Sequence, residues 1–264
     1  MNRFYYIFFL LFAILLMNPY TNIVINAESL EGFYNQGNAL YRKGDYKEAI
    51  KKYQEALNFN FYNPDLFYNL ANAYFRNGEL GKSIQFYEKA LRFKPRDLNI
   101  KTNLELAKQV IEDHIDLPPK NIIERVILKY YYFFSSKELI LLTSIFFGTG
   151  FMMFFFMVIS KRRRTKYLFL GLALIIFSID SIFFITMSIK VTEHNSREYA
   201  VILANEINVK SGPKEIFTTV FTLHEGTKVM VRETRENWYF ISLPNGMNGW
   251  LPKSTDSNET LGMI

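Results

Sequence analysis

Two long runs that carry almost no charge constrain the fold of this chain more than any other feature. The first run, 139–160, has 22 residues and no charged side chain, and the second, 167–189, has 23 residues with Asp180 as its one charge. At a rise of about 1.5 Å per residue, a helix of either length crosses the ~30 Å hydrocarbon core of a bilayer. A helix in a soluble core does not stay apolar on every face for that length. We therefore predict one transmembrane helix in each run.

A basic segment, KRRRTK at 161–166, connects the two runs. Lys and Arg accumulate in short cytoplasmic loops, so we predict a cytoplasmic loop here, with both outer ends of the hairpin on the opposite side. The formal net charge of the chain is +6, and this segment accounts for five of those charges. Because no second basic patch remains, we expect no nucleic-acid partner. The five charges belong to Lys161, Arg162, Arg163, Arg164 and Lys166.

The N-terminus has the pattern of a secretory signal peptide. Arg3 precedes the apolar run FYYIFFLLFAILLM, and Ala27 has the small side chain expected before a cleavage point. We predict a signal peptide over 1–27, with an uncleaved anchor as the alternative. A signal peptide exports the chain that follows it. The chain on both sides of the two apolar runs is therefore expected outside the cytoplasm.

Residues 28–117 contain an internal repeat with a period of 34 residues. FYNQGNALYRKGDYKEAIKKYQEALNFNF from Phe33 aligns without a gap with FYNLANAYFRNGELGKSIQFYEKALRFKP from Phe67. This period and its small and aromatic positions resemble the tetratricopeptide repeat, a pair of packed helices. We predict repeats over 30–63 and 64–97, with Gly44 and Gly78 at the turns. A capping helix is expected over 98–115, with an apolar stripe of Ile100, Leu104, Ala107 and Ile111.

First-helix side chains line the concave face of such repeats, and here they are mostly amides and guanidinium groups. These groups suit an extended peptide backbone or a carboxylate, although Tyr34 stands where carboxylate-gripping repeats have a lysine. A generic protein-docking surface and a simple solvated face are the alternatives. The candidate peptide groove consists of Asn38, Arg42, Asn69, Asn72 and Arg76.

The juxtamembrane segment, 118–138, follows a proline-containing break. It has an apolar face at helical spacing, with Ile122, Ile123, Val126 and Ile127, and then three consecutive tyrosines. Aromatic side chains are enriched at the membrane–water boundary, so we predict an interfacial segment. The alternative is a plain extension of the helix that follows.

The C-terminal part, 190–264, changes to short runs with β character. Val229 and Val231 alternate with polar residues, and Asn245-Gly246 is a strong hairpin signal. We expect a small closed barrel. The order VKSGP, LHEGTKV, NWYFISLPNGMNGWLP resembles the bacterial Src-homology-3-like domain. In that domain Trp238, Tyr239 and Trp250 either form a ligand groove, with peptidoglycan as a candidate ligand, or pack inside the barrel.

Asp180 is the single charge predicted inside the membrane. Burial of a charge at the centre of a bilayer costs about 2.5–3.5 kcal/mol on insertion scales, so such a residue is expected to pair or to function. A transport or signal-relay role is one hypothesis, and contact with a partner's helix is a second. The third is a neutral, protonated carboxyl held by nearby hydroxyls, the candidates being Thr143, Ser144, Thr149, Ser178 and Ser181.

The sequence contains no recognised catalytic motif. It has no cysteine, its three histidines lack metal-ligand spacing, and no phosphate loop or nucleophile elbow is present. We therefore predict a non-enzymatic protein without a cofactor. Its predicted fold class is a multidomain membrane protein with an α-helical repeat domain, a two-helix transmembrane hairpin and a small all-β barrel.

The whole order of segments resembles the E-type protein of the Bacteroides aerotolerance operon. The resemblance lies in NLANAYFRNGELGKSIQFYEKALRFKP, TNLELAK and the C-terminal VKSGP…FTLHEGTKV…NWYFISLPNGMNGWLP. It implies a membrane-bound scaffold, and we expect the protein in a bacterial inner (cytoplasmic) membrane, with its repeat and barrel domains on the periplasmic side. Its implied partners are von Willebrand factor A-type membrane proteins and a MoxR-type ATPase system.

Overall fold

A computed structural model describes residues 20–59, 63–115, 119, 121–196, 198–255 and 258–264. The first 19 residues of the predicted signal peptide lie outside the described residues. The chain divides into two compact units, 1–79 and 80–264.

The described residues of the first unit form three helices: α1 (Tyr20–Lys43), α2 (Tyr46–Leu57) and α3 (Pro64–Asn77). Gly44 and Gly78 follow α1 and α3 with φ of +88° and +86°, a left-handed conformation that glycine adopts without steric cost. Asn63 caps α3 by accepting a hydrogen bond of 2.8 Å from the Asp65 amide. A Cβ at Gly37 would lie 2.5 Å from the Tyr53 ring, so this small residue allows α1 and α2 to pack closely.

In the part of the second unit that the structure describes, five helices come first: α4 (Leu80–Phe93), α5 (Leu98–Lys108), α6 (Ile122–Phe133), α7 (Ser136–Ile159) and α8 (Arg163–Ser196). Asp97 caps α5, which buries Ile100, Leu104 and Ala107 as the apolar stripe predicts. The helix ends at Lys108 and does not continue to Ile115, because the following segment packs against the sheet instead.

Nine strands follow among the described residues of this unit. Seven form one antiparallel sheet in the order β3-β2-β6-β5-β4-β1-β9, and β7 pairs with β8. The strands are β1 (Glu198–Ile202), β2 (Glu206–Lys210), β3 (Thr219–His224), β4 (Lys228–Arg235), β5 (Trp238–Ser242), β6 (Asn248–Pro252), β7 (Ser254–Thr255), β8 (Asn258–Glu259) and β9 (Leu261–Met263).

The sheet is not closed, so the predicted closed barrel is wrong. Among the described strands, β3 and β9 form the two edges and do not pair with each other. Every strand of this sheet nevertheless contributes to one core, from Ala200 on β1 to Leu261 on β9. Alternation with period two could predict the strands but not the pairing of the last one. The β9 strand pairs with β1 and ends the sheet there.

The α4 helix, which belongs to the second predicted repeat, packs directly on this sheet. The Gln85 side chain donates to the Met263 carbonyl at 2.8 Å, and the Gly81 amide donates to Glu225 at 2.7 Å. Glu88 is only 9% exposed, and its carboxylate accepts from Lys228 at 2.9 Å. The Lys108 ammonium lies 3.2 Å from its second oxygen. Burial alone would raise the pKa of Glu88, but the two ammonium groups outweigh burial and lower it.

Three glycines make this contact possible. An added Cβ at Gly81 would lie 2.5 Å from the Ile202 carbonyl oxygen, and one at Gly262 would lie 2.6 Å from the Gln85 side chain. An added Cβ at Gly226 would lie 3.0 Å from the Ile84 side chain and 3.1 Å from the Ile111 side chain. Side chains larger than hydrogen at these positions would separate the helix from the sheet.

Asp113 joins the segment after α5 to the sheet. Its carboxylate accepts from the His224 amide at 2.7 Å, the Thr227 hydroxyl at 2.5 Å and the His224 Nδ1 at 2.8 Å. Glu112 lies 3.5 Å from the other ring nitrogen. These carboxylates raise the pKa of His224, Asp113 foremost through its hydrogen bond, with Glu206 on β2 adding to the effect.

Helices α7 and α8 are each long and apolar enough to cross a membrane. They pack together through rings such as Phe146 on Phe183, with centroids 5.4 Å apart, and Phe177 covers Gly150. The basic cluster is exposed, but most of the predicted loop is helical, because α8 already begins at Arg163. Arginine and lysine are good helix formers, so charge alone did not separate a loop from a first helical turn.

We expect Gly81→Ala to loosen α4 from the sheet. Overpacking of this kind costs about 1–3 kcal/mol, more than the gain of up to ~1 kcal/mol from alanine's helix propensity. Amide hydrogen exchange in the full-length protein should be faster in α4 and β1. Gly32→Ala is the matched control, since nothing lies within 4 Å of a Cβ there. Unchanged exchange in the Gly81 variant would contradict the close approach.

The Asp113–His224 contact should weaken as pH rises. Because the folded-state pKa of His224 is raised, its contribution is full below the ordinary value of about 6.5 and is lost as pH rises through the raised value. The pKa of Asp113 is lowered by its hydrogen bonds from His224 and Thr227, which outweigh burial, so its contribution is lost only at acid pH. Hydrogen exchange of 109–115, corrected for intrinsic rates, should increase between pH 6 and 9. In His224→Gln, which cannot titrate, this increase should disappear.

Candidate functional site

A cleft of about 280 Å³ opens in the first unit between α1, α2 and α3. This volume lies just below the usual range of ligand sites, about 300 to 1,000 Å³, so the cleft fits a short part of a peptide. Four of the five predicted groove residues line it, together with two tyrosines. The lining residues are Asn38, Tyr41, Arg42, Tyr53, Asn69 and Asn72.

A hydrogen-bond network fixes the amides in this cleft. Asn38 Oδ1 accepts from the Tyr53 hydroxyl at 2.8 Å and from Asn69 Nδ2 at 3.0 Å, and Asn69 Nδ2 also donates to the Tyr34 hydroxyl at 2.9 Å. The buried phenol has its pKa raised by desolvation, so Tyr53 stays a donor at neutral pH. The network orients the Asn38 amide nitrogen and the Asn69 amide oxygen as further donor and acceptor.

Arg42 supplies the positive charge of the cleft. It is exposed, near the C-terminal end of α1, and no acidic side chain among the described residues forms an ion pair with it. A guanidinium group beside amide donors and acceptors can bind a carbonyl or a carboxylate oxygen. The cleft is therefore chemically suited to an extended peptide.

Arg76, the fifth predicted residue, does not line the cleft. Its guanidinium carbon lies 5.0 Å from the centroid of the Tyr46 ring, a cation–π contact between α3 and α2. Sequence reasoning missed Tyr41 and Tyr53 as lining residues. The spacing of Tyr34, Asn38 and Tyr41, at i, i+4 and i+7 on α1, was a usable signal for Tyr41. Tyr53 lies on α2, whose side chains were not assigned to the groove.

The three aromatic residues predicted as a groove in the C-terminal part lie on two faces of the sheet. Trp238 and Phe240 alternate with Tyr239 along β5, and Phe240 pairs with Trp250 across β6. Tyr239 packs against the core. The Trp250 ring is tilted against the Phe240 ring with their centroids 5.0 Å apart, and the Arg235 guanidinium carbon lies 5.1 Å from the Trp250 ring centroid. Only the two tryptophans share a face.

Asp180 lies inside the helical hairpin, 7% exposed, with its Oδ1 atom lacking a hydrogen-bond partner among the described residues. The hydroxyls predicted as its donors bond elsewhere: Ser144, Thr149, Ser178 and Ser181 each donate to the carbonyl four residues earlier in their own helix. Thr143 Oγ1 is likewise buried without a partner. No cluster of three or more metal-ligating side chains is present in the described part of the chain.

Comparison with known proteins identifies the class of the helical part. A family model described as TPR repeat matches residues 37–78, and one described as Tetratricopeptide repeat matches residues 64–97. Residues 37–97 are therefore tetratricopeptide repeats, which mediate protein–protein interaction. The repeat prediction is confirmed. The resemblances to the Src-homology-3-like domain and to the aerotolerance protein stay predictions.

Solved structures similar to the chain include the crystal structure of the Sgt2 TPR domain from Aspergillus fumigatus. It is 18% identical, the match covers 36% of this chain and 93% of that chain, and the TM-score is 0.26. The first TPR of Spaghetti (RPAP3) bound to HSP90 peptide SRMEEVD is also similar. It is 22% identical, with coverage of 31% of this chain and 92% of that chain and a TM-score of 0.21. No curated protein matches the chain.

Proposed function

We propose that this protein is a non-enzymatic, membrane-anchored scaffold that docks an extended peptide of a protein partner in its tetratricopeptide cleft. The observation that carries the proposal is the cleft itself, in which Arg42 lies beside amides held by a hydrogen-bond network. Preorganised polar groups bind with a smaller loss of side-chain entropy.

The packing of α4 on the sheet supports a location of the repeats and the sheet on the same side of the membrane. The α4 helix precedes the hairpin in the chain and the sheet follows it, yet Glu88 and Lys228 are ion-paired. Such a contact requires an even number of membrane crossings between them, and α7 and α8 together supply two. The basic cluster at the opposite end then faces the cytoplasm, and the repeats and the sheet are periplasmic.

The expected partners follow from the resemblance to the aerotolerance-operon family. They are von Willebrand factor A-type membrane proteins and a MoxR-type ATPase system. A partner with an extended segment and an accessible carbonyl or carboxylate matches the chemistry of Arg42 and the amides.

Exchange of Arg42 for glutamate should reduce partner recovery in a crosslinking pull-down from membranes. The change reverses the one cleft charge that no described acid neutralises, so a like-charge repulsion replaces the contact. A loss of tenfold or more, about 1.4 kcal/mol, is expected when the recovered partners are quantified by mass spectrometry.

Arg76→Glu is the matched control, because Arg76 is exposed on the same unit but does not line the cleft. Asn38→Ala is a poor probe, since it leaves the Tyr53 and Asn69 donors without their acceptor and so perturbs the fold. Equal recovery with the Arg42 and Arg76 variants would overturn the role of the cleft.

A second candidate function, a transport or signal-relay subunit, draws on Asp180. A buried carboxyl oxygen without a partner in the hairpin is costly, and such groups in membrane helices commonly mark a proton or ion path. The inward position of Asp180 favours a role within the hairpin over contact with a partner's helix.

Asp180→Asn separates this function from the scaffold. The amide has nearly the same shape but cannot exchange a proton, so a relay that uses protonation should lose its phenotype in cells while pulldown recovery stays unchanged. Ser178→Ala, which removes a hydroxyl bonded within its own helix, is the control. A wild-type phenotype with Asn at 180 would exclude the charge-dependent role.

A further inference from the structure

The α6 helix presents an apolar face that no described part of the chain covers. Ile122 and Ile123 are each 71% exposed, Val126 is 63% exposed and Ile127 is 59% exposed. These residues lie at i, i+1, i+4 and i+5 and therefore share one side of the helix. None of the residues of α6 is buried. A contiguous apolar face of this kind marks a surface that another apolar phase covers.

Contacts at the C-terminal turn of α6 show where this face points. Tyr130, two turns beyond Ile122 and Ile123, continues the apolar face, and its hydroxyl lies 3.4 Å from the Thr186 hydroxyl on α8. The Phe134 ring lies 5.9 Å from the Phe183 ring, also on α8. The apolar side of α6 is thus the side turned towards the hairpin.

The same contacts set the level of α6 along the hairpin. The Lys190 ammonium donates to the Phe134 carbonyl at 2.5 Å and lies 4.8 Å from the Tyr131 ring centroid. Lys190 directly follows the last residue of the second apolar run, 167–189. Lysine and tyrosine at such a position are characteristic of the boundary between hydrocarbon and headgroups.

The residues of α6 stabilise this helix only in part. Asn121 and Glu124 form a complete capping box at its N-terminus, with bonds of 2.8 and 3.1 Å. A helix of 12 residues is nevertheless marginal in water, where most helical stability comes from a covered apolar face. Lys129 flanks that face, and no described acidic side chain forms an ion pair with it. Its ammonium group can bind a lipid phosphate.

We propose that α6 is a lipid-binding helix that lies in the membrane interface on the side of the repeats and the sheet. Its apolar face reaches about 5–10 Å into the boundary between headgroups and acyl chains, as amphipathic interfacial helices do. The inference rests on the membrane hairpin of the proposed function. It adds a second, in-plane contact with the bilayer to the two spanning helices.

This contact would hold the second unit at a fixed height above the membrane. The Arg96 guanidinium, in the connection between α4 and α5, pairs with Glu138 on α7, donates to the Phe133 carbonyl at 3.0 Å and stacks on the Phe133 ring. It therefore ties α4 and α5 to the junction at which α6 meets the hairpin. The lipid-bound helix and this arginine together restrict tilting of the domain.

The absence of cysteine from the chain allows a direct test by single spin labels. Ile123→Cys, Val126→Cys and Arg125→Cys are each labelled in the full-length protein, in nanodiscs of phosphatidylcholine and phosphatidylglycerol. Arg125 is the matched control, since at about 100° per residue it lies roughly 200° from Ile123 around the helix. Phe155→Cys, exposed on α7 within the first apolar run, reports the hairpin itself.

The measurement is the accessibility of each label to oxygen, which partitions into lipid, against a polar nickel complex, which stays in water. We expect oxygen to dominate at 123, 126 and 155 and the nickel complex to dominate at 125. Nickel access at 123 and 126 with oxygen access at 155 would overturn the inference and leave the hairpin intact. Exclusion of both reagents at 123 and 126 would also overturn it, since a protein would then cover the face. Nickel access at 155 would remove the membrane hairpin and the inference together.

Discussion

The ion pairs of Glu88 are the interaction on which the second unit depends. A carboxylate that is almost fully buried on α4 is tolerated only because Lys228 on β4 and Lys108 on α5 neutralise it. Removal of either lysine would leave part of that charge uncompensated, so the pairs specify one arrangement of helix and sheet. The glycines at 81, 226 and 262 allow the close approach that these pairs need.

This interface also organises the protein around the hairpin. Segments separated by the two apolar helices meet in one packed unit. Asp113, which precedes these helices, adds a second contact of this kind through its hydrogen bonds with His224 and Thr227. The α7 and α8 helices, each long and apolar enough to cross a membrane, therefore form a hairpin whose outer ends are joined by this packing.

Much of the fold could be predicted from periodicity and composition. The 34-residue repeat, the two apolar runs and the strands were predictable because each depends on local spacing of apolar residues. The open sheet and the helical start of α8 were not, because strand pairing and helix ends depend on contacts that a local pattern does not contain. For the cleft, Asn38, Arg42, Asn69 and Asn72 were predicted from their repeat positions, but the stacking of Arg76 on Tyr46 was not.

The sequence by itself determined the class of each segment: tetratricopeptide helices at 37–97, two membrane-length apolar helices and a C-terminal set of strands. Helical and strand periods are written in neighbouring residues, so no tertiary information is needed to find them. Only the tertiary structure decided which segments pack together, above all α4 on the sheet. Glu88 and Lys228 are 140 residues apart. In the sequence alone, Glu88 and Lys228 cannot be distinguished from ordinary surface charges, because their pairing depends on the folding of distant segments against each other.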